Sequence, residues 1–542
     1  MSHRRLLPAS VSAVALAVVL AGCSGGGTSP SAEESEIPRL DATDAGTAGL
    51  PEIVWNLPYG EPTSIDPAFS SSESNSAVIA NMCESLLLQN PDFTASPGLA
   101  EVTAVDDITY EVVIDERAAF WDGSPVTAED VKFSIERTKN PDTGSTWAAV
   151  LANVSGVEVT GDRTATIRLS VPDALFAAHL ATPAAAVVQR AFVESTPGHG
   201  TADGGLMCSG PFELGEWALG EDITLTKSDD YWNPERAALS DSLRFTFNTD
   251  AASATTAMQR GEITGSYNFA VSGLDTLADS DGSVTFGTSL GLYGLMTVNV
   301  DNGPLADIRV REALQLAIDY AGIRDGVFQD AAEINKTFTP RAAWGYSEPI
   351  FESAWDAIAA GTTDLDAARD LLAEAPAQER PVVLSYYADL PEDAQVASSV
   401  QAAAAEIGLE VELNPQTASE NIAMYFDAAA REGTDLMVWA GYLDVPEPAA
   451  YYQYYTSDGV FNVAGFSDAE FDSVVSESRT TLDDDARAEL ITTAQAIYAD
   501  NRINFPIVSQ NTRTFLAEGV TGAVTSQAFL YSPWAVNIGT AE

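Results

Sequence analysis

Phe120-Trp121-Asp122-Gly123-Ser124-Pro125-Val126-Thr127-Ala128-Glu129-Asp130-Val131 is the stretch that decides the fold. Asp122, Gly123, Ser124 and Pro125 are turn formers, so Trp121 to Pro125 makes a tight reversal. Thr127 then caps a helix, with Asp130 three residues on in a near capping box and Val131, Phe133 and Ile135 behind it as the apolar side. An alternating strand pattern at Ile108 to Ile114 precedes the turn. Strand, turn and capped helix in that order point to a mixed α/β protein.

The surroundings follow the same grammar. Ile53 to Leu57 is strand-like and is broken by Pro58, Gly60 and Pro62. Ser74 to Leu88 carries Val78, Ile79, Met82, Leu86 and Leu87 at helical spacing. Val157 to Leu169 reads as a strand split at Gly161-Asp162. Ser209 to Phe212 and Asp222 to Lys227 read as a paired-strand region that ends at Tyr231-Trp232-Asn233-Pro234. In the second half Leu292 to Val300 is a strand and Asp307 to Tyr320 a helix. Pro381 to Tyr386, Glu392 to Ile407, Leu409 to Leu413, Ser419 to Arg431 and Thr434 to Ala440 alternate strand, helix, strand, helix, strand, as in a βαβ layered sheet. Ser467 and Glu470 form a capping box ahead of Phe471, Val474 and Val475. No repeat of solenoid length is present.

The chain has 542 residues, 46% of them hydrophobic and 19% charged, enough for two or three domains. Acidic residues outnumber basic ones 79 to 26, for a formal charge of -53. No basic stretch interrupts that excess, so nucleic acid and anionic lipid headgroups are poor partners. Aromatics at 9% exclude a disordered acidic chain.

The N-terminus runs from Arg4 and Arg5 through an apolar stretch, Val11 to Leu20, into Leu20-Ala21-Gly22-Cys23. This is the pattern of a signal peptide, residues 1–22, ending in a lipobox. The apolar run is shorter than the roughly 20 residues a spanning helix needs. Cys23 is therefore the expected lipidation site, tethering an extracytoplasmic protein to the cell membrane. Residues 23–50, rich in Ser, Gly, Thr and Ala, read as a flexible tether.

Two cysteines remain, Cys83 and Cys208. In an exported protein such a pair is expected to form a disulfide. The loop closed, about 125 residues, would constrain the unfolded chain by roughly 5 kcal/mol in the chain-entropy model. Two buried thiols remain the alternative, because sequence does not bring the two together in space.

Along the chain, several stretches together resemble the peptide-binding proteins of oligopeptide and dipeptide ABC importers, the family 5 extracellular solute-binding proteins. These are Ile65-Asp66-Pro67, Pro97-Gly98-Leu99-Ala100, the Phe120 to Val131 stretch with Ser134-Ile135-Glu136-Arg137, and Ser209-Gly210-Pro211-Phe212 with Asp230-Tyr231-Trp232. Asp307-Ile308-Arg309-Val310-Arg311-Glu312-Ala313 and Ala317-Ile318-Asp319 follow in the same order. The resemblance spans essentially residues 51 to 540. It implies an α/β, two-lobed periplasmic-binding-protein-like clamshell of type II, in the three-domain variety. Lobe I would combine 51–74, 201–289 and 505–542, with 75–200 as an additional domain on it, and lobe II would be 290–504. Two crossings between lobes would form the hinge, and ligand would lie in the cleft.

Enzyme chemistry finds little support in the residues. Gly287-Thr288-Ser289-Leu290-Gly291 has the form of a hydrolase nucleophile elbow, which needs a helix after it and a triad histidine further along. The residues after Gly291 read as a strand, and His3, His179 and His199 all lie upstream. A loop between strands is the expected reading. No cysteine or histidine has metal-ligand spacing. Asp275, Asp279, Asp281 and Gly282 lack the twelve-residue calcium loop with its terminal Glu. Neither a cofactor nor a metal is expected.

Trp439-Ala440-Gly441-Tyr442-Leu443-Asp444-Val445-Pro446-Glu447-Pro448, with Tyr451, Tyr452, Tyr454 and Tyr455 beyond it, is the richest candidate binding stretch. It begins where a strand ends, the usual place for ligand groups in open α/β sheets. In the resembled family a Trp, a few residues and then an Asp precede a Pro-containing turn, and that aspartate pairs with the ligand's α-ammonium. Asp444 matches by its distance to Glu447-Pro448. Trp439 to Asp444 is two residues longer than the usual Trp-x-x-Asp, and Tyr442 stands in the strict position. Trp439, Tyr442, Tyr451 and Tyr452 would supply aromatic walls that accept varied side chains. The alternative is that Asp444 caps a turn and the tyrosines pack core.

The resemblance thus implies a monomeric peptide-binding lipoprotein that delivers its ligand to ABC permease and ATPase subunits. Two other readings stay open: the same fold holding an oligosaccharide, a nickel chelate or another solute, and a surface lipoprotein acting in adhesion or sensing.

Overall fold

The computed structural model describes residues 39–541 apart from 330 and 360. Cys23, the signal segment and the first part of the tether lie outside the described residues. Among those described, no helix is long and apolar enough to cross a membrane.

Three sheets organise the chain into a two-lobed α/β clamshell. The first has seven strands, in the order Ser283–Gly287, Thr512–Leu516, Gly265–Tyr267, Ile53–Asn56, Ser242–Thr246, Asp222–Lys227 and Phe212–Ala218. Ile53–Asn56 runs parallel to both of its neighbours, and every other pair is antiparallel. The second has six strands, ordered Ala332–Ile334, Asn504–Gln510, Gly291–Thr297, Leu436–Tyr442, Val382–Tyr387 and Val411–Gln416. Its last three strands are parallel, the βαβ alternation legible in the sequence. A third sheet is an antiparallel meander of Ala100–Asp106, Thr109–Ile114, Thr164–Leu169 and Val154–Gly161.

Burial explains the sequence pattern of the six-stranded sheet. Leu292 and Met296 point into one core cluster while Tyr293 and Leu295 point into another. Both faces of that strand are covered, as period-two alternation with apolar residues at both parities requires. The seven-stranded sheet and the meander share a separate core.

The opening stretch does what its residues dictate. Asp122 Oδ1 accepts from the Ser124 backbone at 2.9 Å, and Gly123 takes φ of 79° in the turn. Thr127 and Asp130 complete the capping box of helix Ala128–Lys139, which packs on the meander. The Trp121 indole donates to Gly210 O at 2.9 Å. Gly210 itself lies so close to the Met82 carbonyl that a Cβ would sit 2.3 Å from it. Cys83 and Cys208, just beside these contacts, are joined by a disulfide with Cα atoms 5.0 Å apart.

Two local expectations shift. The helix expected over 74–88 is only Glu73–Ile79, and Leu87–Gln89 is a strand. Asn81 O and Met82 O, which a longer helix would use internally, accept instead from Phe212 N and Gly210 N at 3.1 and 2.8 Å. The second capping residue is Asp468 rather than Ser467: Asp468 Oδ1 accepts from Glu470 N and Phe471 N, both at 2.9 Å. Ser467 Oγ accepts from Ser457 Oγ instead.

Residues 39–50, which composition assigns to the tether, are tied to the seven-stranded side. Leu40 N donates to Phe286 O, Gly46 N to Asn537 O and Thr47 N to Thr540 O, each at 2.9 Å. Backbone pairing of this kind leaves no apolar signature, so composition could not reveal it.

The signature motifs meet one another as framework. Asp66 is 1% exposed and is held by Arg137 Nη1 at 3.1 Å, by a second, closer Arg137 contact and by His199 Nε2 at 2.8 Å. Burial alone would raise the Asp66 pKa, but the His199 and Arg137 hydrogen bonds outweigh it and hold the group at about 2. Glu84 accepts from Tyr231 OH, Trp232 Nε1 and Ser209 Oγ at 2.7, 2.8 and 2.9 Å.

Arg137→Leu should leave a buried carboxylate short of its main cation and cost about 3–5 kcal/mol, read as a fall in the urea midpoint. Because the folded pKa lies below the ordinary 3.8, the Asp66 contribution is present above pH 4 and fades as pH falls toward 2. A variant as stable as the parent at pH 7 would show that Arg137 does not hold Asp66.

Candidate functional site

The two lobes are joined by very short crossings. Strand Ser283–Gly287 belongs to the seven-stranded sheet and Gly291–Thr297 to the six-stranded one, so residues 288–290 carry the chain across. The return is Asn511 alone, between Asn504–Gln510 and Thr512–Leu516. Strand Asn504–Gln510 pairs within the six-stranded sheet, so this crossing falls six residues beyond the expected Phe505. Ser289, the serine of the elbow-like stretch, sits in the first crossing and donates to Gln527 Oε1 at 3.0 Å. The same oxygen accepts from Leu290 N at 2.8 Å, while Gln527 Nε2 donates to Leu443 O at 3.0 Å. Gln527 therefore fixes the crossing against the residue that precedes Asp444.

Asp444 stands two residues past the end of strand Leu436–Tyr442. The Tyr531 hydroxyl, from the C-terminal part of the chain, donates to Asp444 Oδ1. Gln89 Nε2 donates to Asp444 O at 3.4 Å, and Ser532 Oγ donates back to Gln89 O at 3.0 Å. Residues from three distant parts of the chain thus converge on this aspartate. Among the described residues no basic side chain bonds to it. Burial pushes its pKa from 3.8 to about 6, with the Tyr531 hydroxyl offsetting part of the rise. Tyr442, partly exposed beside it, has its phenol pushed up by burial and by the Asp444 and Glu73 charges.

The other sequence candidates lie elsewhere. Trp439 is 6% exposed and stacks on Phe338 at 5.1 Å between ring centroids. Tyr451 and Tyr452 join the same cluster, 5.1 and 6.2 Å from Phe338, and Tyr452 is fully buried. These three rings form a wall of the lobe core behind Asp444, while Tyr442 stands with it.

Sequence reasoning missed several groups near the crossings. Glu73 accepts from Asn268 Nδ2 at 2.8 Å, and burial pushes its pKa to about 7 against the Asn268 bond and the Arg513 charge. Asp393 accepts from Tyr293 OH and is raised to about 6 by burial. Glu392 Oε1 accepts from Val271 N at 3.3 Å, which joins helix Pro391–Glu406 to the seven-stranded side. Asp173, buried in the segment after the meander, pairs with Arg479 of helix Ala469–Thr480 at 3.1 Å. Only the turn-like Tyr531-Ser532-Pro533 could have drawn attention to Tyr531; nothing local marks the others.

Chemically, the arrangement is a partly buried carboxylate with one neutral donor, with Tyr442 beside it and Glu73 close enough to act on the same phenol. Such a group is suited to compensating a cation brought in from outside.

Comparison with known proteins agrees in fold and family. The family model described as bacterial extracellular solute-binding proteins, family 5 Middle, matches residues 94–462. The chain is 24% identical over 490 residues to the dipeptide-binding protein DppE of Bacillus subtilis, covering 86% of this chain and 88% of that protein. Among solved structures, the substrate-binding protein CtaP of Listeria monocytogenes superposes with a TM-score of 0.80 at 20% identity, covering 91% of this chain and all of that one. The Campylobacter jejuni protein NikZ, solved with a nickel–histidine complex, gives 0.75 at 19% identity, with 88% and 96% covered.

A raised carboxylate pKa costs stability wherever the group must ionise in the folded state. Asp444→Asn should therefore stabilise the ligand-free protein at pH 8 by about 1–3 kcal/mol. The gain should shrink as pH falls through 6 and vanish below about 3, where the aspartate is protonated in both states. Thermal unfolding across that range is the check, and a gain that is flat in pH would show that Asp444 does not carry the shift.

Proposed function

This chain belongs to the bacterial extracellular solute-binding proteins of family 5, and we propose that within it the protein captures peptides for an ABC importer. It would act as a monomer, anchored through Cys23 to the cell membrane, and pass its ligand to permease and ATPase subunits. No cofactor takes part. Lobe I would comprise 51–74, 201–289 and the segment after Asn511, lobe II the chain from 290 to 510, with 75–200 as the added domain. The sheet membership of the strands supports that division.

The observation that carries the peptide reading is Asp444: a partly buried carboxylate beside the crossings, with a neutral tyrosine as its hydrogen-bond partner. Peptides of different sequence share termini and backbone, so a protein that takes many of them must bind those groups. The α-ammonium supplies the charge that Asp444 lacks. Its arrival would favour the ionised aspartate and offset the desolvation of both groups. Glu73 and Asp393, both raised by burial, are further carboxyl groups that a cationic ligand end would favour in the ionised form. Names of relatives such as DppE point the same way.

A second reading, a non-peptide solute such as a metal chelate or an oligosaccharide, is favoured by one feature. Tyr442 occupies the strict third position after Trp439 and points to the same region as Asp444. The likeness in fold to NikZ is in keeping with it.

Calorimetry with a free tripeptide, its N-acetylated form and an oligosaccharide separates the readings. Asp444→Asn should cost the free peptide about 2–5 kcal/mol and a neutral ligand far less. Because the carboxylate titrates near pH 6, binding of the free peptide at pH 5.5 should also release protons from Asp444. Equal affinity for free and acetylated peptide would overturn the ammonium contact. For the anchor, Cys23→Ser should move the protein from the membrane to the soluble fraction. Retention in the membrane would refute the lipobox.

A further inference from the structure

Apart from the cleft, lobe II contains a small recess between helix Asp484–Asp500, strand Asn504–Gln510 and the chain around Lys336. We propose that this recess is a binding site for one small monovalent anion of halide size. It goes beyond the peptide reading and does not depend on it.

Three observations carry the proposal. The first is unsatisfied chemistry. Gln495 is 2% exposed and Asn504 6%, yet both polar atoms of each side chain lack a hydrogen-bond partner, as does Arg502 Nε. All three residues line the recess. Buried amides left without partners cost stability, so such a group implies an occupant.

The second is the balance of donors and acceptors. The Gln315, Gln495 and Asn504 amides offer two N–H donors each, Arg502 Nε one, the Tyr452 hydroxyl one and the Lys336 ammonium three, against the three amide oxygens and the Tyr452 oxygen as acceptors. A water molecule donates as much as it accepts and leaves that excess in place. An anion only accepts, and removes it.

The third is charge and size. Arg502 is paired with Glu312 at 3.2 Å. Lys336 has no ion pair or hydrogen bond among the described residues, only the Trp355 ring at 5.9 Å. Lys336 therefore brings to the edge of the recess one positive charge without an ion pair, in a chain of formal charge -53. Space for the centre of a water-sized sphere amounts to about 10 Å³, enough for one such particle and too little for a metabolite. A single halide matches the charge and the donor set, and its entry would require the lining to give slightly, a halide being larger than water.

The test uses sodium bromide against sodium gluconate at equal ionic strength, since gluconate is too large to enter. Thermal unfolding of the protein should rise saturably with bromide, by about 1–3 °C at a hundred times the half-saturating concentration. Bromide-soaked crystals should show an anomalous peak between Lys336, Arg502 and Gln495. Lys336 is partly exposed, so Lys336→Met should fold, and it should raise the half-saturating bromide concentration at least tenfold. Unfolding indifferent to bromide, an unchanged response in Lys336→Met, or a peak present only at soaking concentration would each overturn the site.

Discussion

The amide of Gln527 holds together much of what positions the candidate site. Its oxygen takes the backbone N–H and a hydroxyl from the crossing at Ser289 and Leu290, and its nitrogen reaches Leu443 across the lobe boundary. A side-chain amide is suited to this because it donates and accepts at once, and so can bond a strand end and a crossing that face it from different sides. Together with the Leu443 N–H, which donates to Leu290 O at 3.2 Å, these bonds fix the residue before Asp444 against the crossing. The aspartate is thereby held in reach of Tyr531 on the other lobe.

Three carboxylates of this chain, Asp66, Glu84 and Asp444, divide by what surrounds them. Asp66 is held by Arg137 and His199 and Glu84 by three neutral donors, and each ties together motifs far apart in sequence. These acids serve as internal crosslinks, satisfied at the moment of folding. Asp444 has one hydroxyl and a pKa near 6. A fold that completes its framework carboxylates but leaves this one incomplete keeps an electrostatic cost at the place where a ligand can remove it.

Aromatic residues play two parts that residue type alone does not separate. Trp439, Tyr451 and Tyr452 interlock with Phe338, Phe471 and Tyr498 as lobe core, where area and edge-to-face contact stabilise the sheet from which Asp444 projects. Tyr442 and Tyr531 flank the carboxylate itself. Trp439 belongs to that core, and Tyr442, three residues on, stands beside the carboxylate.

The sequence by itself determined the local architecture and the family: the turn at Asp122 and Gly123, the Thr127 cap, the alternating second half and the order of the motifs. Each of these depends on contacts within a few residues, which a linear pattern records. It also singled out Asp444, through the family resemblance and its distance to Glu447-Pro448. Tertiary structure alone decided that helix Glu73–Ile79 stops early, that residues 39–50 pair with the fold, and that three of the four candidate aromatics belong to core. It alone decided the partners of Asp444, since Tyr531 lies 87 residues further along and Gln527 meets Leu290 across 237. Bonds over such separations leave no periodicity, and burial, which sets the charge state of the site, exists only once the distant segments have closed around it.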